Sequence, residues 1–370
     1  MSRDARKLTI YFGERDRVEE RFLADHLLNV FERHQISVSV LMRGAEGFGI
    51  KHHLRTDRLL TLSEDLPVVA VAVDVPARID AALAEVRRLR FDGLITIERA
   101  LLADDRSPEI PRGLGEEVKL TVYFGRGERD AGRPAYEKAV QVFRDHRVAG
   151  ATVLVGVDGT VAGARRRARF FSRNLEVPVM VISIGRRDRL VEALPELESL
   201  PGEVMITLER ARSLKRDGKT LAELGDGPGA DEQGLDRWVK LMLYSSEQNR
   251  FEGEPVHVSA IRALRAGGAP GATALRGIWG YHGDHRPHGD RFSSLRRRVP
   301  TVTTVVDRPP RIGRWFEILD RATPERGLIT AEVVPAFQAT GPDVRSGGLK
   351  LAARGRRPNR SGDQGLSPGG

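Results

Sequence analysis

The sequence predicts an α+β protein built from three tandem copies of one domain. Three observations carry this. Three segments open alike, as Lys7-Leu8-Thr9-Ile10-Tyr11-Phe12-Gly13, Lys119-Leu120-Thr121-Val122-Tyr123-Phe124-Gly125 and Lys240-Leu241-Met242-Leu243-Tyr244. From each tyrosine a glycine follows 33 residues on, at Gly44, Gly156 and Gly277, with a second three residues later at Gly47, Gly159 and Gly280. Each copy then starts an apolar run with Pro67, Pro178 or Pro300. It closes on Leu94-Ile95-Thr96-Ile97-Glu98, Met205-Ile206-Thr207-Leu208-Glu209 or Leu328-Ile329-Thr330-Ala331-Glu332. Solenoid repeats run about 20–50 residues, and a period of 112–121 is far longer, so whole domains are repeated.

Copy 1 justifies its elements in order. Residues 7–12 are a short β-branched and aromatic run, a strand. The spacing of Phe22, Leu23, Leu27, Val30 and Phe31 predicts a helix over 18–34. Residues 37–42 alternate Val38 and Val40 with serines, a second strand. The Pro67 run is the third, since proline is tolerated as the first strand residue. Pro76 suits the first turn of a second helix, with Ile79, Leu83, Val86 and Leu89 as its stripe. Residues 94–98 form the last strand. Two crossover helices over four strands make the ferredoxin-like βαββαβ arrangement. One face of such a sheet stays open and needs something to cover it. The domains fall at 1–103, 118–213 and 238–337, separated by linkers rich in Asp, Pro and Gly. A Gly- and Pro-rich basic tail, 338–370, reads as disordered.

Composition narrows the function classes. The chain has 370 residues and no cysteine, which excludes a disulfide scaffold, a zinc finger and a thiol nucleophile, and fits a reducing compartment. No apolar run approaches the roughly 18–20 residues of a membrane span. No signal peptide is visible, so a cytoplasmic location is expected. The formal charge is +9. Residues 1–103 and 104–237 are each neutral, and the excess lies in 238–337 and the tail. The aromatic interleaving of a single-strand binder is missing, so dedicated nucleic-acid binding is not expected. There is no Gly-x-Ser-x-Gly, no His-Glu-x-x-His and no complete dinucleotide fingerprint, so the expectation is that the protein is not an enzyme. The carboxylate pair Glu64-Asp65 does not recur in the other copies.

The segment between the second and third strands is the ligand-binding candidate. In copy 1 it supplies Arg43, Gly44, Gly47, Gly49, Lys51, His52, Arg55 and Arg58. Glycines let backbone N–H groups approach an anion, and Arg and Lys neutralise phosphate. A hairpin whose glycines satisfy turn geometry is the plain alternative. Aligning the copies places Arg169 and Arg291 at the Arg58 position. An arginine there suits bidentate phosphate binding, or equally a salt bridge to Glu98, Glu209 or Glu332. The copy 3 run His282-Gly283-Asp284-His285-Arg286-Pro287-His288 matches no standard metal spacing, so a solvated loop and no metal site are expected. The runs Arg165-Arg166-Arg167-Ala168-Arg169 and Arg296-Arg297-Arg298 suit an acidic partner or phosphate, or simply solvent. Tyr11, Tyr123 and Tyr244 are expected in the core.

The run from Lys7 through Arg43-Gly44-Ala45-Glu46-Gly47-Phe48-Gly49 to Leu62-Ser63-Glu64-Asp65-Leu66-Pro67-Val68-Val69 closely resembles the uncharacterised PII-like family labelled domain of unknown function 190. Copy 2 resembles it through its strands and Gly150-Ala151-Thr152-Val153-Leu154, without the Glu-Gly-Phe-Gly segment. Copy 3 does so from Gly271 through Arg276-Gly277-Ile278-Trp279-Gly280-Tyr281. The resemblance covers about 80–85% of the chain. It implies a fold related to the PII signal-transduction proteins, trimers that bind adenine nucleotides in clefts between subunits and regulate transporters and enzymes through a long loop. Relatives often sit beside fluoride-channel genes, which implies a link to ion transport. The implied function is a regulator sensing a small anionic effector such as ATP, ADP or cyclic AMP, with no other cofactor, and acting on a protein partner. An accessory subunit of a fluoride or other ion channel or transporter, without nucleotide, and a small ferredoxin-like enzyme are the alternatives. Three fused copies of a trimerising domain predict a monomer folded as an intramolecular pseudo-trimer, which the linkers are long enough to allow.

Overall fold

Alternation within the first strand decides which face of each copy is which. In β1 (Arg3–Gly13), Leu8, Ile10 and Phe12 turn to one side and join a helix-covered core, while Lys7, Thr9 and Tyr11 turn to the other. Copy 1 continues with α1 (Leu23–Arg33), β2 (Val38–Arg43), β3 (Glu46–Phe48), β4 (Pro67–Asp74), α2 (Pro76–Val86) and β5 (Gly93–Leu102). Copy 2 repeats the series as β6 (Glu117–Gly125), α3 (Ala135–Asp145), β7 (Gly150–Val155), β8 (Asp158–Val161), β9 (Pro178–Arg186), α4 (Arg187–Glu198) and β10 (Met205–Arg210), then adds β11 (Arg212–Arg216). Copy 3 has β12 (Trp238–Ser246), α5 (Val256–Ala266), β13 (Ala272–Arg276), β14 (Trp279–His282), β15 (Pro300–Asp307), α6 (Pro309–Ala322) and β16 (Leu328–Val334), followed by β17 (Ala336–Thr340). The computed structural model describes residues 3–49, 55–56, 65–103, 110–167, 176–224, 237–283, 287–289, 299–334, 336–340 and 345–347.

The four main strands of each copy run antiparallel in one order: β2–β4–β1–β5, β7–β9–β6–β10 and β13–β15–β12–β16. Both helices of a copy cover one face of its sheet. In copy 1, Leu27, Phe31, Ile79 and Leu83 bury against Leu8 and Ile10. In copy 3, Ile261, Trp315 and Leu319 bury against Leu241. Each such side chain contributes roughly 1.5–3 kcal/mol, which holds the helices to their sheet.

The first helix begins later than its apolar spacing predicts. Residues 17–22 form a small hairpin, with Arg17 opposite Phe22 and Val18 opposite Arg21. Its turn residues Glu19 and Glu20 have φ of 49° and 67°, the left-handed pair a two-residue hairpin requires. Val18 and Phe22 fall into helical phase by coincidence, so the pattern could not separate hairpin from helix.

Two cyclic sets of strand pairs stitch the copies together. In the first, the short strand after each second strand crosses to another copy. Copy 2's β8 pairs with β2, copy 3's β14 pairs with β7, and copy 1's β3 pairs with β13. In the second, each copy's last strand runs on to meet the last strand of the next. Leu101 and Leu102 pair with β10, β11 pairs with β16, and β17 pairs with β5. The uncovered sheet faces therefore meet one another. Val40 and Val71 of copy 1, Leu154 and Ile182 of copy 2, and Leu275 and Val302 of copy 3 share one central core.

The tail boundary at 338 needs correction. Residues 336–340 form β17 on the edge of β5, and residues 345–347 pair back onto β17. That edge would otherwise present unpaired backbone groups, and the extension satisfies them. Among the described residues no helix is long and apolar enough to cross a membrane.

Candidate functional site

The register of first and last strands places Lys7 opposite Glu98, Lys119 opposite Glu209 and Lys240 opposite Glu332, all facing the shared core. There they close a ring in which every lysine binds its own copy's glutamate and that of a neighbour. Lys7 Nζ lies 2.8 Å from Glu98 Oε2 and also bonds Glu209 Oε2. Lys119 Nζ lies 3.1 Å from Glu209 and 2.5 Å from Glu332. Lys240 Nζ lies 2.7 Å from Glu332 and 2.5 Å from Glu98. All six side chains are buried, at 2–5% exposure. Burial opposes the charged form of each. At Lys7 and Lys240 the flanking carboxylates outweigh it and hold the ammoniums above the usual lysine range. At Lys119 burial wins and pulls the group down, although its two contacts match those of its counterparts. The ammoniums likewise outweigh burial at Glu98, held well below the usual range, and at Glu332, lowered to about 2. The three carboxylates are close enough together to resemble a metal ligand set. Each Oε2 already accepts from two ammoniums, so the charges balance and the ring acts as an ion-pair lock on the copies. Burial also raises the hydroxyls of Tyr11, Tyr244 and Tyr123, the last to about 12.

The recurring glycines lie on the seams between copies. A Cβ on Gly44 would sit 2.6 Å from Pro67 Cγ and 3.2 Å from the Ala274 carbonyl of copy 3. One on Gly47 would sit 2.6 Å from the Ala272 carbonyl. On Gly159 and Gly280 it would overlap the carbonyl oxygens of Ser39 and Ala151. Only bare backbone lets the crossing strand come this close. The next residue enters the neighbouring copy. Phe48 joins the core of copy 3, and Tyr281 joins that of copy 2 with its hydroxyl donating to the Val148 carbonyl at 2.6 Å. Thr160 donates to the Ile36 carbonyl of copy 1 at 2.8 Å.

The three junctions differ beyond this seam. Between copies 1 and 3 lies a cleft of about 110 Å³, walled by Tyr11, Phe48, Gly49, Leu94, Trp238 and Val306. Half-buried Asp16 and Asp92 also line it, and they are the only charged side chains among its described lining residues. The equivalent cleft between copies 3 and 2 measures about 40 Å³. Its His282 Nε2 lies 2.6 Å from Asp217 Oδ1. Burial would raise that carboxyl, and the hydrogen bond outweighs it and holds it below its usual range. At the junction of copies 1 and 2, Arg165 donates to Asp158 at 2.9 and 3.2 Å, to Asp25 at 3.1 Å and to Asn29 at 2.7 Å. Its guanidinium is raised above the usual value, chiefly by the Asp158 hydrogen bonds.

Several expectations from the sequence are corrected or relocated by these positions. Gly44 and Gly47 are taken up by the seam, which accounts for their recurrence. Gly49 borders the larger cleft, and a Cβ there would meet nothing within 4 Å. Arg43 donates to Glu14 at 2.8 Å, a pair that Arg276 and Glu247 repeat in copy 3 at 3.0 Å. Arg55 stands opposite Gly47 in a two-residue strand, next to that cleft wall. Lys51, His52, Arg58, Arg169 and Arg291 lie outside the described residues. The salt bridge considered between the recurring arginine and Glu98, Glu209 or Glu332 rests on those arginines; among the described residues, lysines hold each Oε2. Within the basic run of copy 2, Arg165 is partly buried, while Arg166 and Arg167 stay exposed. Arg165 and Arg167 contact Asp25 and Asp158, and Arg166 lies 3.7 Å from Glu176. Sequence reasoning missed the axial ring, yet its signal was present. Three of only eight lysines occupy one repeat position, and each copy carries a glutamate at one matching position of its last strand.

A family model described as Uncharacterized ACR, COG1993 (domain of unknown function 190) matches the chain three times, over residues 5–102, 117–213 and 238–336. Among curated proteins, UPF0166 protein MJ1524 of Methanocaldococcus jannaschii is 30% identical over 94 residues, which is 25% of this chain and 86% of that protein. A stretch the length of one copy thus corresponds to most of that relative.

Proposed function

The chain belongs to the domain-of-unknown-function-190 family in each of its three copies, and on that premise we propose that it is a PII-like regulator sensing an adenine nucleotide in the cleft between copies 1 and 3. The single observation that supports this is the cleft itself, aromatic-walled and built where two copies meet. Its Tyr11, Phe48 and Trp238 suit a planar base. Asp16 and Asp92 offer acceptors for ribose hydroxyls or an exocyclic amine. In sequence, Gly49 leads directly into Lys51, His52, Arg55 and Arg58, the cations a phosphate needs. In this reading each copy is a ferredoxin-like unit and the chain is a monomer, an intramolecular pseudo-trimer. It acts without catalysis, in the cytoplasm, on a protein partner such as a channel or transporter. Calorimetry with ATP, ADP and cyclic AMP tests the sensor. Saturable heat is expected with at least one of them, weakened by Arg58→Ala and not by Arg291→Ala. No heat with any of the three rejects nucleotide sensing. A sedimentation mass of three chains rejects the monomer.

A further inference from the structure

The three junctions share a backbone plan and differ in what fills it. Where copy 1 presents Phe48 and Gly49 to its neighbour, copy 2 presents Thr160 and Val161, and copy 3 presents Tyr281 and His282. The strand position two residues before each axial lysine is Trp238 in copy 3, Ala5 in copy 1 and Glu117 in copy 2. Trp238 therefore walls only the cleft shared by copies 1 and 3, and only there is the facing residue a glycine with open space at its Cβ.

Size separates the clefts further. A cavity of about 150 Å³ accepts a benzene ring, and a water needs at least about 10–15 Å³. At about 110 Å³ the first cleft is smaller than that cavity, but it is open at its mouth, so it can take part of a planar ring with the remainder projecting outward. At about 40 Å³ the second has room for a few waters. At the third junction, Arg165 is paired with Asp158 of its own copy and reaches across the seam to Asp25 and Asn29 of copy 1.

Building on the nucleotide reading above, we infer that the chain has a single working site: it binds one purine nucleotide, with the base between Trp238 and Phe48, and the other two junctions are structural. Trp238 and Gly49 are the residues that make this junction unlike the others.

Calorimetry and intrinsic fluorescence with ADP test this, with inorganic pyrophosphate as the base-free probe. One ADP per chain is expected, together with a Trp238 signal that disappears in Trp238→Phe while the other tryptophans still fluoresce. Gly49→Val installs the residue of copy 2 where nothing obstructs it, so thermal unfolding should be unchanged. ADP should then bind about tenfold or more weakly, the scale of a lost base–aromatic contact. Pyrophosphate should bind more weakly than ADP. Two or three ADP per chain, unchanged affinity in Gly49→Val, or pyrophosphate binding as tight as ADP would overturn the single-site inference and leave nucleotide sensing standing. No ADP binding by the wild-type chain would overturn both.

Discussion

The axis and the junctions of this molecule follow opposite rules. Along the axis all three copies supply the same lysine, tyrosine and glutamate. At the junctions they share little beyond glycine and proline. The difference is electrostatic. In the closed ring each charge is buried between two partners, so removing one leaves two opposite charges under-compensated in a medium that solvates them poorly. A cleft filler only has to occupy space or leave it open. Phe48, Thr160 and Tyr281 do so with an aromatic ring, a hydroxyl and a phenol.

The largest expected effect breaks the ring. Glu98→Ala leaves Lys7 and Lys240 with one carboxylate each and should destabilise the chain by about 3–5 kcal/mol in urea unfolding. Wild-type stability in that variant would show that the ring is not a lock. The same ring sets the edges of the pH profile. Glu98 and Glu332 titrate below the unfolded value of about 4.3. Their contribution is therefore complete above that pH and lost as pH falls toward about 2, the folded value of Glu332. Lys7 and Lys240 titrate above the unfolded value of about 10.4, so their contribution is complete below it and lost as pH rises through the folded values. Thermal midpoints measured against pH should show both edges, with a shallower acid edge in Glu332→Gln.

The next effect tests a seam. Gly280→Ala drives a methyl into the Ala151 carbonyl. A loss of about 2–3 kcal/mol is expected, by analogy with overpacking a tight interior, together with a larger hydrodynamic radius if the ring opens. Gly49→Ala serves as its control, since its methyl meets nothing. The smallest effect falls on the junction of copies 1 and 2. Arg165→Ala removes the hydrogen-bonded cation of buried Asp158, leaving only the longer Arg167 contact, and should cost about 1.5 kcal/mol in denaturant unfolding. No change would mean that solvent or Arg167 replaces it. The ranking of the three tests whether axis or seam holds the copies together.

The strands, both helices of each copy and the repeat period were legible because alternation and three-to-four spacing report directly on burial. The hairpin at residues 17–22 was not, since Val18 and Phe22 satisfy a helical pattern equally well. The candidate site was partly legible. Gly49 does border the larger cleft, but Trp238 lies 189 residues away in sequence, and nothing local links the two. Glu98 invited an arginine partner because the sequence does not reveal which cation another copy brings to it.

What the sequence determined by itself was the unit. Periodicity, proline positions and the threefold recurrence of Lys, Gly and Glu specify a domain and its number, because these depend on contacts within one copy. Only the tertiary structure decided what the recurring residues are for. The glycines admit a neighbour's backbone, and the lysines and glutamates close a ring across all three copies. The junction of copies 1 and 3 keeps an aromatic cleft larger than its described counterpart between copies 3 and 2. Those outcomes depend on pairs from different copies, where approach distance and charge balance are set by how the ring closes.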